Sequence, residues 1–454
     1  MKKRILFFFL ALLMLIPLVA CKPEDEVSND ASVEASTPDV SEDVSAEPKE
    51  ESKTTATEAI TGMYNVREFG AKANGQDDSK AIQTAINVCA AKGGGIVYLP
   101  SGTYTIKETI VKKAKVSLKG DGMYATYLAW DGAEDGVMID TSNEALWGTS
   151  IEQMFFSNPK KIKGVVGILG GSTLKNYNSA IGTFKDLVFF GLGTGICGNA
   201  EPEGVGIFDC MFENVFCSDC EVGLHLYGSG NTIVHPRIAT CGVGLCLDFL
   251  NGESFDGIHV IGGIFASNTK DLLVPNVSGL RPCNFVGTWF ENAKEGILTI
   301  SNPNTRVMNM TFRDCMLNSA ADNKNFFLFD ATNALGVVTL DCCTVVENKG
   351  IKAPSSAQSV FEVKNLQVYS SGGTYQIKDE DGGKRSFTGD GKKTEFLVGH
   401  TLNQDAKTVS IVPASADMAN AKYFVTVNDK RLTITFLEAP KKDAVLEFYW
   451  HVEA

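Results

Sequence analysis

The sequence predicts an all-β protein: a solenoid of stacked strands, closed at its N-terminal end by an α-helix and followed by a small β module. Three observations predict it. Short apolar runs punctuated by Gly, Asn and Asp recur between about residues 150 and 377, with a mean spacing of about 26 residues. An amphipathic helical pattern, "SKAIQTAINVCAAKGGG", stands ahead of them from Ser79. The stretch Phe387–Ala454 alternates apolar and polar residues with the period of a strand.

The elements follow in chain order. Lys2, Lys3 and Arg4 precede an apolar run from Ile5 to Val19, too short and wrongly flanked for a membrane span. It ends "LVAC", Leu18–Cys21, which resembles the lipobox of bacterial lipoproteins. That resemblance implies cleavage before Cys21, a lipid on Cys21, and an extracytoplasmic protein anchored to a membrane; the alternative is an ordinary secretory signal. Residues 22–62 carry 12 acids against 3 bases and no aromatic side chain. Such a segment buries too little apolar surface to offset its ordering entropy, so it is expected to be a disordered acidic tether. The whole chain has a net charge of −13, so residues 63–454 carry only −7. With no basic run, the chain lacks the electrostatic footprint of a nucleic-acid binder.

The helix places Ala81, Ile82, Ala85, Ile86 and Cys89 on one face, with Gly93 as its stop. Asp77 and Asp78 stand at its start, where carboxylates cap free N–H groups and favour the positive dipole end. Asp78→Ala is therefore expected to cost about 1 kcal/mol, the value of a cap. "GIVYLPSGTYTI" gives two strands around a Pro-Ser-Gly turn. One position per repeat is marked by Phe156, Phe189, Phe216, Ile238, Phe265, Phe290, Met316, Val345 and Tyr369. One unit cannot bury its own apolar face, but stacked units form a continuous core, and the helix would cover its end. The expected boundaries are a signal over 1–21, a linker over 22–62, the solenoid over 63–383 and a compact β-sandwich-like module over 384–454. Eleven cysteines remain after Cys21, an odd number without paired spacing. Many sit at apolar strand positions, where a thiol acts as a small hydrophobe.

The stretch "VREFGAKANGQDDSKAIQTAINVCAAKGGGIVYLPSGTY" is similar to the N-terminal motif of the pectate-lyase-like superfamily, in its rhamnogalacturonase- and epimerase-type branch. Phe69, Gly70, Ala71, Gly75, Asp77, Asp78, Gly93, Gly94, Gly95, Val97, Pro100, Gly102 and Tyr104 carry the likeness. It implies a right-handed parallel β-helix whose long flank handles polysaccharide, and it does not specify a reaction. Trimers are common among the tailspike-like members, so a homotrimer is one assembly the resemblance allows.

Hydrolases of this kind place carboxylates on adjacent coils, whereas lyases neutralise a uronate with Ca²⁺ or basic groups and remove a proton with a base. The polygalacturonase motifs Asn-Thr-Asp, Gly-His-Gly and Arg-x-Lys are missing, and the sole Asp-Asp pair lies in the cap. The best local cluster gives His235 and Arg237, then Asp256 and His259, then Trp289 and Glu291. His235 and His259 are 24 residues apart, near one coil. Acid–base work by the His and acidic residues and sugar stacking on Trp289 would suit such a set. The structural alternative is that these acids serve turns and the Trp serves the core. Arg313, beside Asp314 and grouped with Arg281 and Arg306, is a second candidate for an anionic sugar. Cys197, His225 and Cys246 align in successive units, a combination that suits zinc. Further along, that ladder offers Leu273 and Leu298, so no metal is assigned, and Ca²⁺ enters only if the protein is a lyase. The expected activity is glycosidic hydrolysis or β-elimination on a complex polysaccharide. The rivals are a non-catalytic glycan-binding or adhesive surface protein and a sugar epimerase.

Overall fold

The computed structural model describes residues 62–454 apart from 143–145, 172–178, 199–205, 249–253, 256, 302–304, 320–326, 330–335, 347–358, 371–372, 378–379, 401, 403–405, 429 and 454. The chain divides into two units, Met1–Ala59 and Ile60–Ala454, and the described residues belong to the second. Cys21 and nearly all of the tether therefore lie outside them.

The N-terminal helix spans Ser79–Ala91 and buries Ile82, Ala85, Ile86 and Cys89. Its close follows from the glycines. Gly93 and Gly94 have φ of 101° and 109°, which L side chains rarely adopt. A Cβ on Gly94 would also lie 2.4 Å from the Lys115 carbonyl oxygen, so the turn needs glycine twice over. The two acids at the helix start divide the work differently from the expectation. Asp77 accepts from the Ser79 backbone N–H at 3.0 Å and from its hydroxyl at 2.6 Å. Asp78 makes no cap bond; its carboxylate accepts from the backbone N–H groups of Lys72 at 2.7 Å and Ala73 at 3.1 Å. The capping role thus passes to Asp77, and Asp78 ties down the loop in front of the helix.

Beyond the helix the chain winds as a right-handed parallel β-helix. One coil shows the plan. Ile258–Ile261 forms a strand on a first face, the chain bends at Gly262, and Ile264–Ala266 forms a second face. After a turn at Ser267, Lys270–Val274 lies on a third face in a separate sheet. Each strand pairs with its counterparts one coil away, as Ile258–Ile261 does with Asn231–Val234 and Cys283–Val286.

The register identifies the inward ladder of the second face as Phe156, Phe189, Cys217, Ile238, Phe265, Phe290, Leu317, Val345 and Val368. Six of the nine marks read from the sequence fall on it. Phe216, Met316 and Tyr369 are each one residue off, next to Cys217, Leu317 and Val368. Along the core, Phe156 stacks on Phe189 and Phe285 on Phe312, with centroids 4.8 Å and 4.9 Å apart. These distances follow from the strand spacing, so like side chains one coil apart stack without adjustment. Nine of the eleven cysteines after Cys21 are buried.

The bend between the first and second faces needs a left-handed residue in each coil. Gln153, Asp186, Asn214, His235, Gly262, Gly287, Asp314, Cys342 and Asn365 fill it, with φ between 50° and 65°. Asn, Asp and Gly suit this conformation and Cys does not. Cys342 is exposed there. Cys342→Gly is expected to raise stability by roughly 0.5–1 kcal/mol, seen as a higher thermal midpoint; an unchanged or lower midpoint would show that the bend stores no strain.

At the C-terminus, Glu380–Thr388, Thr408–Pro413 and Val445–Glu453 form one antiparallel sheet, and Glu395–Gly399, Tyr423–Val427 and Arg431–Phe436 form another. Phe396, Leu432, Ile434, Phe448 and Trp450 belong to a core cluster of their own.

Candidate functional site

On the first face, strand alternation sends every second side chain outward. Register then assembles two outward ladders. One runs Thr232, His259, Asn284, Thr311 and Thr339; the other runs Val234, Ile261, Val286, Arg313, Asp341 and Lys364. Between them lies a groove of about 380 Å³ lined by Thr232, His259, Ile261, Asn284, Val286, Thr311 and Arg313.

Two pairings organise it. The Asn284 amide nitrogen lies 3.2 Å from His259 Nδ1. As placed, the amide donates to Nδ1 and leaves the proton on Nε2; turned over, its oxygen would accept from Nδ1–H and leave Nε2 as a base. Arg313 donates from Nε to Asp341 Oδ2 at 2.9 Å, with the arginine side chain 56 % exposed. That bond leaves the Nη fork for a ligand carboxylate, which it can hold in bidentate fashion. At such exposure the Arg313–Asp341 pair contributes little to stability, at most about 1 kcal/mol.

The other residues singled out in the sequence fall elsewhere. Asp256 lies outside the described residues. His235 sits in the left-handed bend with its ring against Gly262, where a Cβ would come within 3.3 Å of it. It therefore does not stack on His259, whose register partner in the preceding coil is Thr232. Arg237, Trp289 and Glu291 are on the second face, beyond that bend, with Arg237 and Trp289 flanking Ile264 in one ladder. Trp289 is exposed, and Glu291 pairs in register with Ala266 and Asn318. Arg281 and Arg306 precede the first-face strands, whereas Arg313 ends one, so the three arginines do not converge.

Asn284, Thr311 and Asp341 were not singled out from the sequence. The signal that finds them is the first-face register, obtained by aligning "IHVI", "CNFV", "MTFR" and "VTLD". Calcium fits this groove poorly. Among the described residues, none that lines it is a carboxylate, and Asp341, next to Arg313 in its ladder, is already paired with that arginine, while Ca²⁺ takes 6–8 oxygens.

On the third face, Cys197, His225 and Cys246 do stack as register partners. Asp248, paired with Tyr227, joins them, and His225 Nε2 lies 3.3 Å from Asp248 Oδ2.

Stacked parallel coils, a capping helix and an outward groove define a parallel β-helix protein. More particularly, residues 63–144 match the model of the family described as rhamnogalacturonase A/epimerase, pectate lyase-like. Among curated proteins, the chain is similar to alginate lyase 7 of Azotobacter vinelandii, 32% identical over 136 residues, which is 26% of this chain and 16% of that protein. It is also similar to mannuronan C5-epimerase AlgE1 of the same organism, 39% identical over 89 residues, 19% of this chain and 6% of that protein. The chain thus spans a small part of either relative. Among solved structures, the A-module of mannuronan C-5 epimerase AlgE6 from Azotobacter vinelandii aligns with a TM-score of 0.45 and 15% identity, covering 68% of this chain and 99% of that one.

Proposed function

We propose that the first-face groove binds an acidic polysaccharide and removes the proton next to a uronate carboxylate, with β-elimination as the outcome, in a protein held at the cell surface by a lipid on Cys21. The observation that carries this reading is the placement of His259 and Arg313 on one groove, two coils apart, with the adjacent carboxylate already engaged by the arginine. Hydrolysis calls for two carboxylates about 5–9.5 Å apart across the scissile bond, and among the described residues the groove offers no such pair. The relatives whose names specify alginate and mannuronan support a uronate substrate.

In this reading the Arg313 Nη groups hold the substrate carboxylate and stabilise the charge that builds on it as the neighbouring C5–H bond breaks. With the Asn284 amide turned over, its oxygen holds Nδ1–H and His259 Nε2 takes the C5 proton. The electron pair forms the C4–C5 double bond, the C4–O glycosidic bond breaks, and the leaving oxygen takes a proton from water, His259 later losing its own to solvent. Return of the proton to C5 without bond cleavage would be epimerisation, a second reading that uses the same residues.

The test is a panel of uronate and neutral polysaccharides incubated with the full chain, followed by ultraviolet absorbance for unsaturated ends and by reducing-end assay. His259→Gln and Arg313→Ala are each expected to lower the rate of unsaturated-product formation by about 10²-fold or more. Trp289→Ala and Glu291→Gln should leave it within a few-fold. Reducing ends without unsaturation would replace elimination by hydrolysis, and binding without either product would make this a glycan-binding protein.

A further inference from the structure

We propose that the third face carries a transition-metal site, formed by His225, Cys246 and Asp248, that takes Zn²⁺ or an ion of similar preference. His225 lies on Val222–Tyr227, and Cys246 and Asp248 lie on the adjacent parallel strand Val243–Asp248. Cys246 is directly across from His225, and Asp248, two residues on, projects to the same side of the pleat.

Geometry and chemistry agree. One ligand atom from each of the three residues lies within 4.8 Å of the other two. Around a tetrahedral zinc, with bonds of about 2.0–2.3 Å, ligand atoms stand about 3.3–3.7 Å apart. The His225–Asp248 separation of 3.3 Å already meets this, so closing the set needs about an ångström of movement at the sulfur. A thiol, an imidazole and a carboxylate form a donor set that suits zinc and is short of oxygens for calcium or magnesium.

The setting is also unlike a chance surface pair. Side-chain exposure is 22% at His225 and 16% at Asp248, and Cys246 is 3% exposed. The Tyr227 ring packs on the imidazole with centroids 4.4 Å apart, which restricts its rotation. Leu273 follows Cys246 in the ladder and closes that side with an apolar neighbour. A metal held here would bind two successive coils together, and its fourth position would be left to water.

Co²⁺, which reports tetrahedral thiolate ligation by its visible and charge-transfer bands, is the probe. The full chain carrying Cys342→Ser, to remove an exposed thiol, is freed of metal by a chelator, kept reduced and titrated with Co²⁺. One equivalent is expected to bind, with a thiolate charge-transfer band that Zn²⁺ abolishes. Cys246→Ser should remove the band, and the near-isosteric Asp248→Asn should weaken binding at least tenfold, with circular dichroism confirming that each variant is folded. Zn²⁺ should also raise the thermal midpoint of the parent and not that of Cys246→Ser. A parent without the band, or a band that survives Cys246→Ser in folded protein, overturns the site and leaves His225–Asp248 as an ordinary ion pair.

Discussion

Asp271→Asn is expected to remove a loss of stability that the parent protein shows as pH rises from about 4 to about 8. Asp271 lies on the third-face strand Lys270–Val274 and is fully buried. Its Oδ1 accepts from the Asn268 side chain at 2.9 Å, and its Oδ2 has no hydrogen-bond partner among the described residues. Burial pushes the carboxyl up to about 8, against the smaller downward pull of the Asn268 bond. The sign follows from linkage: a folded-state value above the unfolded 3.8 means the folded state holds the proton more tightly. Stability from this group is complete below about pH 4, falls as pH rises and levels off above about pH 8. The rise from 3.8 to about 8 corresponds to about 6 kcal/mol as an upper limit, which relaxation around a buried charge reduces to a few kcal/mol. Asn keeps the acceptor for Asn268 and carries no charge. Urea midpoints at pH 5, 7 and 9 should therefore diverge between parent and variant, with the variant ahead at pH 9. Parallel pH profiles would show that Asp271 is solvated or paired in solution.

The sequence carried the solenoid because strand alternation and a repeat near 26 residues survive the irregular turns. It carried the helix because Ile82, Ala85, Ile86 and Cys89 keep helical spacing. The phase was harder to read. At Phe216, Met316 and Tyr369 the outward residue is as apolar as its inward neighbour, so hydrophobicity alone does not choose between them. The groove was half legible. His259 and Arg313 stood out as residue types, but His259 was grouped with Trp289 and Glu291, which a left-handed bend turns onto another face, and Arg313 with Arg281 and Arg306, which precede the first-face strands. That bend leaves little trace in composition, since His, Gly, Asp, Cys and Asn all fill it along the ladder. On the third face, aligning glycines found Cys197, His225 and Cys246. Asp248 escaped because it lies two residues past the aligned position, and only the pleat returns it to the same side.

Asp78→Ala is expected to cost about 2–4 kcal/mol, well above the loss of a simple helix cap. The side chain is 2% exposed, and its two oxygens accept from the Lys72 and Ala73 backbone N–H groups. Alanine would leave both donors without an acceptor in a partly buried loop, and bonds to a charged group contribute about 1.5–3 kcal/mol each. Asp78→Asn keeps one carbonyl oxygen and should recover about half of the loss. Asp77→Ala provides the contrast. Asp77 is exposed and holds the Ser79 N–H, so its removal should cost about 1 kcal/mol. Ser79 narrows the difference a little, because the hydroxyl that Asp77 orients also accepts from the Lys107 N–H at 2.9 Å and joins the helix start to the following strand region. A loosened loop before the helix weakens the cover over the first coils, whereas His259 and Arg313 sit on coils much further along the solenoid. Denaturant midpoints should therefore rank parent, Asp77→Ala, Asp78→Asn, Asp78→Ala in falling order, with rates on polysaccharide unchanged wherever the protein is folded. Equal losses at Asp77 and Asp78 would restore the simple capping role to Asp78. A fully folded Asp78→Ala protein without activity would move the chemistry from the groove to the cap.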